Sequence, residues 1–264
     1  MSARQYLSRI WELALPHAKT MLAVLWRWLK GWPDFLLLEC AKGYPYFRAG
    51  FWFVLGGICA LSLVILCCHA SHDAEVKIPR AALQYRSELI RASRMVWGLD
   101  APVAVFAAQI HTESWWKNGT VSSAGAQGLA QFMPSTAKWL QRAAPETGSP
   151  APFDPRWSLR ACVTYDKYLF DRIAPRRGKS LTEWNRMAFT LSGYNGGLGW
   201  TNRDRTKALQ SGLDPDIWFG HVEQANAGRR ISAKRENQRY VQLIMRERQQ
   251  VYIKSGWGSG VTNE

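Results

Sequence analysis

Gln109–Ala137 reads QIHTESWWKNGTVSSAGAQGLAQFMPSTA, and the rest of the chain is organised around it. The pair Glu113-Ser114 closes an apolar run that includes Val103, Val105, Phe106 and Ile110. A segment of small residues follows, Ser122-Ser123-Ala124-Gly125-Ala126-Gln127-Gly128, and then Leu129 to Pro134. One carboxylate at the end of a buried helix, faced by a loop too small to fill the space, suits a general acid over a groove. Burial disfavours the charged form, so such a carboxyl keeps its proton near neutral pH and can donate it to a leaving oxygen. The plainer alternative is a glutamate at a helix terminus beside a glycine-rich turn.

The flanking helices follow from periodicity. Residues 79–97 alternate apolar positions (Leu83, Leu89, Ile90, Val96) with arginines, a helical pattern with a charged face. Asp100 is placed to cap the next helix, with Pro102 in its first turn. That helix runs from about Ala101 towards Glu113 and is expected to be central, with Glu113 at its C-terminal end, where the helix dipole disfavours an anion. Residues 119–131 are too broken for a helix. Pro134 opens another through Leu140, and Phe153-Asp154-Pro155 precedes one reaching Leu169. Ser180-Leu181-Thr182-Glu183 reads as a capping box whose helix stops in Gly193-Tyr194-Asn195-Gly196-Gly197. Residues 233–252 are helical again.

Composition narrows the setting. The 264 residues carry a formal charge of +14 and 14 Trp. Such a balance favours polyanions: nucleic acid, anionic lipid or the carboxylates of a bacterial wall. There is no zinc-finger spacing, RNP-like run or basic region with heptads, so nucleic acid is not an expected partner. His111-Thr112-Glu113 fits the start of a zinc-deaminase motif, but no Pro-Cys-x-x-Cys follows. The five histidines offer no metal spacing, and no cofactor is implied. Cys162 is alone downstream of residue 68, so the fold there stands on packing.

The N-terminal part differs in character. Residues 1–48 hold seven Lys/Arg against Glu12, Asp34 and Glu39, and Met21–Lys30 reads as an amphipathic helix. From 49 to 72 there is no formal charge, and Phe51–Cys68 is almost wholly apolar, the length a bilayer-spanning helix needs. The basic flank places residues 1–48 in the cytoplasm and exports the remainder. The expected organisation is a basic N-terminal segment (1–48), a transmembrane helix (49–72), a tether (73–78), a catalytic domain (79–254) and a flexible tail (255–264).

The spacing from Glu113 through Ser122, Gly125-Ala126, Gly128, Gln131 and Met133-Pro134 closely resembles the soluble lytic transglycosylase family, relatives of goose-type lysozyme. FTLSGYNGG at 189–197 is similar to the family's Tyr-Asn-x-Gly segment, and Glu236 to Val241 to its acidic–Tyr–Val segment. Ala130 departs from the usual methionine, and Asn237 stands where threonine is commoner. The resemblance covers about residues 79–252 and implies a mostly α, lysozyme-like α+β domain with a small irregular or β-hairpin segment. It implies Glu113 as catalytic acid and then base. Gln131, Met133 and Tyr194 would line sugar subsites supported by Ser122 and Asn195, and Glu236 and Tyr240 would border the site. The implied substrate is the peptidoglycan glycan strand, cut between N-acetylmuramic acid and N-acetylglucosamine to leave 1,6-anhydromuramyl ends. A water-using hydrolase and a catalytically dead wall-binding protein are the alternatives. Such enzymes serve secretion and conjugation machinery, phage entry or lysis, and wall turnover; the sequence does not choose among these.

Overall fold

The computed structural model describes residues 77–177 and 180–263. These fall in the second of the two units into which the chain divides, Glu75–Glu264. The basic segment 1–48, the expected membrane helix 49–72 and most of the tether lie outside the described residues. Among the described residues, no helix is long and apolar enough to cross a membrane.

The described unit is mostly helical: α1 (Arg80–Leu83), α2 (Arg86–Trp97), α3 (Val103–Ser114), α4 (Pro134–Ala143), α5 (Pro155–Asp171), α6 (Glu183–Gly196), α7 (Leu198–Gln210), α8 (Ile231–Gln242) and α9 (Gln249–Lys254). A π-helical turn, Leu243–Arg248, joins α8 to α9. The centre is α3, in which every side chain from Val103 to His111 is buried. A helix without a polar face needs neighbours on all sides. Here α2, the π turn and α9 pack directly on α3, while α5 bridges α2 and α6, and α8 lies against α6. Truncating a fully buried ring such as Phe106 in this core costs about 3–5 kcal/mol.

Several boundaries differ from the sequence expectation. The cap of α3 is Pro102 rather than Asp100, and α3 receives its N-terminal partner from far away: Ala104 N–H donates to the Ser259 carbonyl at 2.9 Å. Residues 255–263 are therefore no flexible tail. Trp257 and Val261 are buried, Gln249 pairs with both backbone groups of Val261 at 3.1 Å, and the Ser259 hydroxyl donates to the Ala101 carbonyl. A side chain at Gly258 would lie 2.9 Å from Val103 Cβ, so the C-terminal segment closes on α3 only through glycine. The cap of α6 is Thr182, not Ser180; its hydroxyl accepts from Asn185 N–H. Helix α4 extends past Leu140 to Ala143, and Gln84–Tyr85 separates α1 from α2. The sequence reading assigned no helix to 198–210, where α7 stands; its apolar positions are sparse and its buried Asp204 is neutralised by Arg229 and Lys234.

Candidate active site

Glu113 occupies the last turn of α3, whose burial fixes its direction. The chain then turns sharply, with Trp115 at φ 54° and Trp116 at φ 62°. Left-handed backbone at bulky residues costs about 1–3 kcal/mol each and persists only where the surroundings hold it. Trp116 supplies that hold: its ring is buried and its indole N–H donates to Tyr252 Oη at 2.7 Å.

The glycine-rich segment folds back over this helix end. Isolated antiparallel bridges join Val121 to Gln127 and Gln127 to Phe132, a minimal β element. Ser122 closes its tip, the hydroxyl accepting from Ala126 N–H at 3.0 Å. Gly128 has φ 77°, and a Cβ there would sit 1.8 Å from the Pro152 carbonyl oxygen, so no other residue fits. Gln131, itself at φ 50°, donates its side-chain amide to the Thr120 and Gly128 carbonyls at 3.1 and 2.8 Å.

Between this loop and helices α6 and α8 lies a groove of about 550 Å³. Its walls include Glu113, Ser122, Gln131, Met133, Tyr194, Asn195, Glu236 and Tyr240, so the structure brings all eight sequence-derived candidates to one surface. Glu236 and Tyr240 share a face of α8 because they are four residues apart. Tyr194 donates its hydroxyl to the Ala130 carbonyl at 2.8 Å, locking α6 to the loop. Asn195 Oδ1 accepts from Asn237 Nδ2 at 2.9 Å.

The electrostatics centre on Glu113. Tyr240 Oη donates to its Oε1 at 2.5 Å. Burial pushes its carboxyl from the usual 4.5 up to about 8; the Tyr240 hydrogen bond opposes this and the Glu236 charge adds to it. Behind the groove, Asp166 is fully buried, accepting from Gln109 Nε2 at 3.3 Å, and burial pushes its carboxyl well above the carboxylate range. The same effect raises the Tyr194 and Tyr240 hydroxyls, so both remain donors.

Other groove residues were not site candidates: Thr112, Thr136, Tyr165, Arg239 and Leu243 among them. Arg239 sits three residues after Glu236, so helical spacing alone could have flagged it. Tyr165 had no local motif; α5 delivers it from a distance. Asn237, noted only as a departure, is wholly buried and hydrogen-bonds Ser192 through both ends of its amide, a positioning role invisible without the fold. His111 faces away from the groove towards Tyr252, with its pKa lowered to about 4 by burial and then by Arg248. No cluster of potential metal ligands occurs among the described residues.

Residues 95–214 match the family model described as the transglycosylase SLT domain. Membrane-bound lytic murein transglycosylase F of Pseudomonas fluorescens is 30% identical over 115 residues, 44% of this chain and 21% of that protein. The proteins of the same name from Maricaulis maris and Shewanella loihica are 32% identical over 114 residues and 34% over 112, covering 43% and 42% of this chain and 23% and 21% of theirs. The chain thus spans about a fifth of the length of these relatives. Among solved structures, the 70-kDa soluble lytic transglycosylase of Escherichia coli is 22% identical with a TM-score of 0.46, covering 65% of this chain and 24% of that one. A complex of the 70-kDa soluble lytic transglycosylase with bulgecin A gives 23% and 0.47, covering 70% and 26%. The match to the transglycosylase SLT domain model takes in the stretch from Glu113 to Pro134 that carries the resemblance read from the sequence. The matched stretch ends before α8, so Glu236 and Tyr240 join the groove from outside it.

Proposed function

We propose that this chain is a peptidoglycan lytic transglycosylase with a lysozyme-like domain, in which Glu113 serves as acid and then base. The observation that carries the reading is the Glu113 carboxyl on the wall of a groove large enough for sugar rings, bonded to Tyr240 at 2.5 Å, where burial pushes its pKa up to about 8. Protonated Glu113 gives its proton to the glycosidic oxygen between N-acetylmuramic acid and N-acetylglucosamine as that bond breaks. The muramic acetamide stabilises the developing cation, the substrate-assisted route open to glycosidases without a second working carboxylate. Glu113, now a carboxylate, takes the proton from the 6-hydroxyl as that oxygen closes on the anomeric carbon. The products are a 1,6-anhydromuramyl end and a free N-acetylglucosamine hydroxyl, with no water consumed. Gln131, Met133, Tyr194 and Glu236 line the sugar subsites; Ser122 and Asn195 hold the loop and α6 beneath them.

Glu236 favours a second reading. It is an exposed carboxylate on the same groove, and a general base there would activate water and make the enzyme a hydrolase. Mass spectrometry of muropeptides released from purified sacculi separates the two. Anhydro ends are expected, absent with Glu113→Gln; reducing ends would establish hydrolysis, and release by Glu113→Gln would remove Glu113 from the chemistry.

The setting also belongs to the proposal. An exported domain anchored by residues 49–72, with 1–48 in the cytoplasm, fits relatives that are named membrane-bound. Protease protection of each end in spheroplasts tests that orientation.

A further inference from the structure

We infer that a second hollow, of about 430 Å³, is a platform for a more distant sugar of the same glycan strand. It shares Thr136 and Tyr165 with the groove, so the two spaces adjoin. Its floor is aromatic: Trp139 meets Tyr168 edge to face at 4.9 Å and Tyr165 at 5.7 Å, while Tyr165 and Tyr168 lie near parallel at 6.4 Å. All three rings are partly exposed. Tyr168 is also held by Arg172, whose guanidinium lies 3.3 Å from its ring centre.

The chemistry selects the occupant. A pyranose presents C–H bonds on its faces and hydroxyls around its rim. The negative face of an aromatic ring attracts the former, and the hydroxyls of Ser135 and Thr136 can exchange hydrogen bonds with the latter. No lining side chain is charged, which suits a neutral sugar and offers nothing to the carboxylates of a wall peptide. The inference rests on the reading of the main groove as a glycan site.

The test uses the full chain in detergent, with Glu113→Gln to prevent cleavage, and N-acetylglucosamine oligomers of increasing length as probes in calorimetric titrations. Once the main groove is filled, further lengthening is expected to raise affinity by about five- to tenfold, the worth of an aromatic contact. Tyr168→Ala and Ser135→Trp, the latter blocking the hollow from an exposed position, are expected to abolish that late gain and leave shorter oligomers unaffected. Retention of the gain in both variants would overturn the platform while leaving the groove reading intact. Failure of oligomers of every length to bind the unblocked chain would overturn both.

Discussion

Tyr240 donates its hydroxyl proton to Glu113 Oε1 across 2.5 Å, joining α8 to the last turn of α3 over 127 positions of sequence. The bond stabilises the carboxylate, yet burial outweighs it and the carboxyl remains protonated to about pH 8. The Glu236 charge adds to the effect of burial, so Tyr240 and Glu236 act on this carboxyl in opposite directions and each can be removed separately.

Removing them moves the alkaline limb of activity in opposite directions. A general acid works while protonated, so kcat/KM on purified glycan strands is expected to fall with a midpoint near pH 8. Tyr240→Phe deletes the bond that favours the anion, so its limb is expected at higher pH. Glu236→Gln deletes a repelling charge, and its limb is expected at lower pH. Limbs that move together would refute this balance.

The same shift acts on stability. Between pH 4.5 and 8 the folded chain holds a proton at Glu113 that the unfolded chain has released. That contribution is complete at low pH and is lost as pH rises through 8. Glu113→Gln, never charged, is therefore expected to melt above the parent chain at pH 8, by about 2–4 °C for each kcal/mol recovered. Near pH 4.5 the two should melt together. Thermal melts across this range check the sign.

The amide of Asn237 is the pivot of a buried network. Its Nδ2 donates to the Ser192 carbonyl and Asn195 Oδ1, each at 2.9 Å, and its Oδ1 accepts from the Ser192 hydroxyl at 2.8 Å. Asn237→Ala leaves Asn195 Oδ1 without its partner and Ser192 with only Thr201 at its hydroxyl, at a cost of about 2–3 kcal/mol. Chemical denaturation is expected to show that loss, and Asn237→Asp should not restore it, because a carboxylate cannot donate to Ser192 O and Asn195 Oδ1.

How much of this was written in the sequence varies with distance along the chain. The Glu113–Pro134 spacing carried the loop, because Gly128 tolerates no side chain and Ser122 closes its own turn. Four of the eight candidates reach the groove in pairs because Tyr194 and Asn195 sit on α6 and Glu236 and Tyr240 on α8. Tertiary partners were illegible. The Ser259 carbonyl replaces Asp100 at the start of α3, and no local pattern announces a capping group 155 positions away (104 to 259). Helix α7 escaped notice because its buried face holds Thr201, Asp204 and Arg205 rather than an apolar stripe. Tyr165 reaches the groove from α5, with no motif around it.

Asp166 is expected to be a neutral acid. It is fully buried, and its side-chain hydrogen-bond partners are Gln109 and Cys162 rather than a cation. Asp166→Asn keeps shape and neutrality, so its stability should stay within about 1 kcal/mol of the parent and its alkaline limb should not move. A large downward movement of that limb would mean that a charge had been removed, and Asp166 would then be ionised.

Everything returns to whether the Glu113 carboxyl holds its proton at neutral pH. Carbon-13 NMR of labelled glutamate side chains, with Glu113→Gln assigning the resonance, reads this directly. The account expects one carboxyl titrating near pH 8 that disappears in the glutamine variant. A Glu113 resonance titrating near 4.5, like an ordinary glutamate, would contradict it.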